Sequence, residues 1–440
     1  MKVQRKRNSF LAALVLIGLL SATPFTSYGI TLQEGLQIVT KGSREVLKAI
    51  EEENQAEAKL WQSRSYWLPQ VELYGYQTYL RYQPEAKFGP FGPVPMSEKE
   101  FLTYGFKVSQ LVYDFGSIYS SISASKEELR AKRFITTSVR NTMALEFIKR
   151  YLGVLEAEKL LEVAEGQRKA YEEHLADARA MYENGLVTKN DLLQAEVSLA
   201  EAEQERINAE NLLRIKRAAL NVILKSPPDE EITLVEAPSP MDIDISLEEA
   251  YKRATEARPE LIALRHRIEA LKLQKSAVKR QFLPKLYLAG GYEYQQNQYM
   301  VHEGNWSLVA GLKVELFSGG LRIAQINELD SAVREAEIEE QRLREEIKLQ
   351  VKSAYLSLHS ARHKLTVSEK AVAQAEENYR LHRLRYKEGV GTSTDVTDAL
   401  VMLKAQKTNY YRALYDAKRA EAELLYAIGA DLVYSYTGAT

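Results

Sequence analysis

Phe101-Leu102-Thr103-Tyr104-Gly105-Phe106-Lys107-Val108-Ser109-Gln110-Leu111-Val112-Tyr113-Asp114-Phe115-Gly116 is the stretch whose reading decides the fold. In an extended chain Leu102, Tyr104, Phe106 and Val108 share one face, and Thr103, Gly105, Lys107 and Ser109 share the other, because successive strand side chains point to opposite sides. The alternation stops at Gly116, and from there to Glu183 there is no proline. A strand over about 101–113 therefore feeds a helix that, at about 1.5 Å per residue, would run close to 100 Å.

The same strand-to-helix passage occurs a second time. Tyr113-Asp114-Phe115-Gly116 aligns with Phe317-Ser318-Gly319-Gly320, Tyr151-Leu152 with Tyr355-Leu356, and Tyr182-x-x-Gly185 with Tyr386-x-x-Gly389, all at one spacing. Upstream, at a slightly larger spacing, Thr31-Leu32 aligns with Ser246-Leu247, Arg44-Glu45 with Pro259-Glu260, and Leu68-Pro69 with Leu283-Pro284. The spacing changes between the two strands of each hairpin, where a surface loop varies freely. The chain thus divides into a first repeat, 30–225, with strands at about 70–82 and 101–113, and a second, 247–430, with strands at about 286–297 and 306–317. A Pro-rich, acidic segment at 226–246, containing Pro227, Pro228, Pro238 and Pro240, links them, and 431–440 forms a tail. The fold class is mainly α with membrane-type β: a duplicated helix–hairpin–helix unit.

The other strands alternate as well. In the first, the bulky set is Tyr74, Tyr76, Leu80 and Tyr82, against Gly75, Gln77 and Arg81. In the third, Leu286, Leu288, Tyr292 and Tyr294 oppose Gly291, Glu293, Gln295 and Asn297; in the fourth, Trp306, Leu308, Ala310, Leu312, Val314 and Leu316 oppose Ser307, Gly311, Lys313 and Glu315. Tyrosine-rich strands of about ten residues, apolar on one face and charged on the other, match an outer-membrane barrel between lipid and water. Four strands cannot close a barrel, and open edges are not tolerated in lipid, so several chains must pool their strands. The loop Gln83–Glu100, with Pro84, Pro90, Pro93 and Pro95, is expected to resist regular structure. The second hairpin needs only a short connection near His302-Glu303-Gly304-Asn305.

Composition narrows the function classes. Net charge is −1 over 440 residues and cysteine is absent, so no disulfide framework or N-terminal acyl-cysteine anchor is available, and no concentrated basic patch suggests a nucleic-acid partner. Residues 1–29 read as a cleaved signal peptide: Lys2 to Arg7 is basic, Phe10 to Leu20 is an apolar run too short to span a membrane, and Ser27-Tyr28-Gly29 is a small-x-small site. Downstream, no run reaches the ~18–20 apolar residues of a transmembrane helix, which leaves the strands to meet the membrane.

The partner helices carry a seven-residue period. Ala399, Leu403, Gln406, Tyr410, Ala413, Ala417, Ala420 and Leu424 step four-three throughout, as Ala195, Leu199, Ala202, Arg206, Ala209, Leu213, Lys216 and Leu220 do in the first repeat, the signature of left-handed supercoiling with close approach at alanine. The helix turns share a design: Gly185 and Gly389 end one helix, and Thr188-x-x-Asp191 and Thr392-x-x-Asp395 start the next as capping boxes with aspartate in place of glutamate.

Taken in order, the duplication, Arg258-Pro259-Glu260-Leu261, the two Leu-Pro pairs before strands and Tyr386-x-x-Gly389…Asp395-Val396-x-Asp398-Ala399 resemble the TolC-like outer-membrane efflux channel family along essentially the whole mature chain. The resemblance implies a homotrimer with a twelve-stranded outer-membrane barrel, continued by a long periplasmic α-helical barrel. It also implies an exit duct for drug efflux or type I protein secretion, docked through a periplasmic adaptor protein to an inner-membrane pump, with the turns at Gly185, Thr188, Asp191, Gly389 and Thr392 meeting the adaptor. By the same resemblance Asp395 and Asp398, three apart on one helix face, would ring the periplasmic entrance as a gate that attracts and is blocked by cations. Gly391 stands where some family members carry an arginine that locks the entrance, so that closing network is not carried over.

Catalysis has little support. Of six histidines, only His359 and His363 have a metal-like spacing, without a third ligand, and Gly389-Val390-Gly391-Thr392 lacks the spacing and lysine of a phosphate loop. No catalytic residue, metal or cofactor is expected. The alternative to a channel is a non-conducting periplasmic coiled-coil strut anchored in the outer membrane; the polar strand face with Lys107, Glu293, Lys313 and Glu315 favours a wet lumen.

Overall fold

Oxygen-bearing side chains mark most helix starts. In the computed structural model, which describes residues 29–237 and 244–437, Thr31 and Glu34 form a capping box at α1 (Leu32–Gly42), and Ser43 ends that helix in extended conformation while capping α2 (Arg44–Ser65). The proline-free run forms α3 (Ser117–Glu183), followed by α4 (Lys189–Leu224). The second half repeats the series: α5 (Leu247–Ala257) capped by Ser246, α6 (Pro259–Arg280) with proline in its first turn where no N–H is needed, α7 (Leu321–Lys387) and α8 (Ser393–Ala427). Both α3 and α7 have 67 residues, about 100 Å each at ~1.5 Å per residue. A short α9 (Leu432–Thr437) closes the described chain. Apart from Gly29, the segment read as a signal peptide lies outside the described residues.

Between the helices lie β1 (Gln70–Tyr79), β2 (Glu85–Lys87), β3 (Pro93–Pro95), β4 (Glu100–Tyr113), β5 (Lys285–Gln295) and β6 (Gly304–Lys313). Strands β1, β4, β5 and β6 form one antiparallel sheet in that order, so that β4 and β5 join the two halves and β1 and β6 are its edges. The strand read at about 70–82 stops at Tyr79, and the one read at 306–317 stops at Lys313. The loop expected to be irregular instead holds the ribbon β2–β3 and a 3-10 turn at Gly89–Phe91. Pro93 and Pro95 sit on a two-stranded ribbon, where a missing N–H is tolerated, and Pro90 lies in the 3-10 turn.

Register corrects one face assignment. Leu73, Phe106, Tyr292 and Trp306 stand opposite one another across the sheet, as do Tyr74, Gly105, Glu293 and Asn305. The apolar face of β1 is therefore Val71 and Leu73, whereas Tyr74 and Tyr76, read as its bulky outer set, share the face of Lys107 and Glu293. Bulk misled because tyrosine has a polar tip: the Tyr74 hydroxyl donates to the Glu293 carboxylate at 2.7 Å. Gly105 lies between them, and a Cβ there would come within 2.9 Å of that hydroxyl and 2.4 Å of the Tyr292 carbonyl oxygen.

The main core lies midway along the long helices. Leu36 and Val39 of α1 pack on Phe147, Ile148, Tyr151 and Leu152 of α3, with Leu213 and Leu220 of α4 and Leu432 of α9. The linker joins this core: Ile30 bridges Leu234 in parallel, Ile232 and Ala237 are buried, and the Tyr151 hydroxyl lies 2.9 Å from the Ile30 carbonyl and 2.5 Å from that of Val235. A second core unites α5, α6, α7 and α8 around Leu261, Ile347, Val351 and Leu424. Here the Arg-Pro-Glu-Leu motif acquires a role. The buried Arg258 guanidinium lies over the Tyr426 ring at 4.8 Å, donates to the Tyr426 carbonyl and to Gln350, and pairs with Glu260. Glu260 in turn accepts from Ser138 of α3 at 2.7 Å, so the motif ties both halves together.

Candidate functional site

At the end of the helices far from the sheet, two turns have nearly the same geometry. Gly185 and Gly389 take left-handed φ of 74° and 73°, conformations that glycine adopts without steric cost. The N–H groups of Leu186 and Val390 reach back to the carbonyls of Met181 and Arg385, closing each helix in a Schellman turn. Thr188 and Thr392 then cap α4 and α8: the N–H of each donates to Asp191 or Asp395 at 3.0 Å, and each threonine hydroxyl accepts from the aspartate's own N–H. The Asp395 carboxyl is held below the usual range by the Thr392 N–H first and the Thr392 hydroxyl second.

Asp398 lies one turn further along α8 and is exposed, as is its counterpart Gln194 on α4. The two aspartates read as a gate therefore differ in local duty: Asp395 serves its helix, whereas Asp398 faces solvent. Gly391 packs tightly. A Cβ at that position would sit 3.1 Å from the Tyr386 backbone nitrogen.

Behind the turns, the two halves meet in a polar layer. Arg383 of α7 pairs with Glu173 at 2.7 Å and Asp177 at 3.5 Å on α3, and Lys387 reaches Asp177 at 3.2 Å. Inside this rim His174 of α3 is 1% exposed, Tyr386 of α7 is 1% exposed and Ser393 of α8 is 2% exposed. The His174 Nε2 lies 3.0 Å from the Ser393 hydroxyl, and its ring centroid is 5.1 Å from that of Tyr386. The sequence reading singled out His359 and His363 by their spacing and passed over His174. His359 packs on Tyr355 at 4.5 Å. The signal for His174 was its place among Tyr171, Leu175 and Ala178, the inward positions of α3.

At the opposite end, the sheet presents Val108, Leu288 and Leu308 with Phe106 and Trp306 on one side, and Lys107, Glu293 and Lys313 on the other. Among the described residues no helix is long and apolar enough to cross a membrane. The loops beyond the sheet are tied together: Gln83 donates to the Tyr299 hydroxyl, and Asn297 to the Met96 carbonyl.

Known proteins share this architecture. The profile of a family described as "Outer membrane efflux protein" matches residues 36–224 and 250–430. The chain is 22% identical over 330 residues to the outer membrane efflux protein BepC of Brucella suis, covering 74% of this chain and 72% of the relative. It is 25% identical over 304 residues to the alkaline protease secretion protein AprF of Pseudomonas aeruginosa, covering 65% and 61%. The crystal structure of the outer membrane protein VceC from Vibrio cholerae superposes with a TM-score of 0.76 at 18% identity, covering 91% of this chain and 96% of that one.

Proposed function

Because the chain belongs to the outer membrane efflux protein family, we propose how its four strands and long helices build the duct. The protein is an outer-membrane efflux channel of the tripartite efflux and type I secretion class, and it is not an enzyme. Three copies associate, and the β1 edge of one sheet pairs with the β6 edge of the next to close a twelve-stranded barrel. The observation that carries this reading is the open sheet itself: two unpaired edges and one apolar face, on which Leu73 is 84% and Leu308 78% exposed. Unpaired backbone groups in hydrocarbon cost several kcal/mol each, roughly, so closure is obligatory in a bilayer.

Domain roles follow from that assembly. The leader, 1–29, is removed on export; the repeats 30–225 and 247–430 supply a hairpin and two long helices each; the described parts of the linker 226–246 and of the tail 431–440 form a belt around the middle. Asp395 and Asp398 from three copies narrow the periplasmic mouth. The exposed turns at Gly185, Thr188, Asp191, Gly389 and Thr392 receive the periplasmic adaptor, which connects the duct to an inner-membrane pump. The strut alternative is separated by recording from the purified protein in planar bilayers. Discrete channel openings are expected; a detergent-purified trimer that inserts but never conducts would establish the strut instead.

A further inference from the structure

The gate helix α8 is held at its first turn by a residue of the other repeat. Ser393, the first residue of α8, is two positions from Asp395 and five from Asp398, and its hydroxyl meets His174 of α3 at 3.0 Å. Both partners are buried. Helix α8 thus cannot swing away from α3 at the tip without breaking this bond and uncovering the imidazole. We propose that His174 is the positioning residue that fixes the first turn of α8, and with it the two gate aspartates, in the narrow arrangement, and that protonation of its ring releases them. The proposal rests on reading Asp395 and Asp398 as the gate.

The surroundings explain why a proton would act here. On its own helix His174 faces Asp177, with Glu173 beside it; on α7 it faces Arg383 and Tyr386, with Lys387 at the rim. Helix α8 offers the uncharged Ser393, while Asp395 is engaged by Thr392; Asp191 at the start of α4 lies on the Tyr386 side. Asp177 and Glu173 are already paired with Arg383 and Lys387. Among the described residues the His174 Nδ1 meets no hydrogen-bond partner. In the neutral tautomer that donates from Nε2 to the Ser393 hydroxyl, Nδ1 carries no proton, whereas imidazolium places an N–H there with nothing to receive it. Burial, reinforced by Arg383 and opposed by Asp177, holds the imidazole below its ordinary range. A released tip would therefore bind the proton first. The packed tip is fully favoured above the ordinary histidine value of about 6.5 and loses that contribution as pH falls from there through the depressed value.

The test uses full-length protein in planar bilayers between pH 7.5 and 5. Wild type should pass from small to large openings on acidification, by at least about threefold in mean conductance. His174→Gln keeps an amide for Ser393 but cannot titrate, and should stay narrow at both ends of the range. His174→Ala and Ser393→Ala should be open already at pH 7.5. A His174→Gln profile that follows wild type, or a folded Ser393→Ala channel as narrow as wild type at pH 7.5, overturns the proposal. Block by a divalent cation, read in Asp398→Asn, reports separately on the gate. Loss of block with no His174 effect sinks only the latch, and unchanged block sinks the gate reading.

Discussion

Asp395 and Asp398 show how one residue type does two jobs three positions apart. Asp395 spends its carboxylate on the N-terminus of α8, while Asp398 projects into solvent. Replacing both, Asp395→Ala with Asp398→Ala, should raise conductance and abolish divalent block. Asp395→Ala alone should also loosen the first turn of α8, because the Thr392 N–H loses its acceptor, seen as faster amide exchange there. Because the folded Asp395 carboxyl titrates below its ordinary value, the cap's contribution is intact at pH 5 and fades only as pH drops through the still lower folded value. Tip opening near pH 5 to 6 therefore cannot be assigned to this carboxylate. The capping boxes were legible in the sequence because Thr-x-x-Asp acts within a single turn. His174 was not, because its partner lies in the other repeat, 219 residues away.

The same division between local and distant signals governs the strands. Strands β4, β5 and β6 declared their faces because branched and aromatic side chains alternated with glycine, serine and lysine. Strand β1 did not, since both of its sets hold large residues and only pairing with β4 decides between them. The structure makes a specific demand: Leu73→Lys places a charge on the lipid side and should cost roughly 2–4 kcal/mol of folding stability in bilayers near the midplane. Glu72→Lys, on the side of Lys107, should cost far less. Urea unfolding in lipid vesicles compares them, and a larger cost for Glu72→Lys than for Leu73→Lys would restore the face assignment read from sequence. Elements whose stability is written in nearest neighbours were readable; β1, with large residues on both faces, was ambiguous until its pairing with β4 was known.

Across the whole molecule, the long helices were recoverable from the absence of proline and the seven-residue steps, and their parity in length follows from duplication. Closure of the sheet is the part a single chain cannot display. Since the natural chain has no cysteine, a cysteine in β1 at Gly75 combined with single cysteines scanned from Leu308 to Leu312 in β6 should yield disulfide-linked trimers at one register. Monomers at every register, on non-reducing gels of membrane extracts, would exclude the shared barrel. The belt has a temporal consequence. Ile30, Leu234 and Tyr436 belong to early, central and late parts of the chain, yet all contribute to the same cluster around Tyr151. That hollow around Phe147 and Tyr151 therefore stands unfilled until residues near 436 have joined it. Chains cut after Ala430 should remain protease-sensitive, even though both hairpins and all four long helices are present.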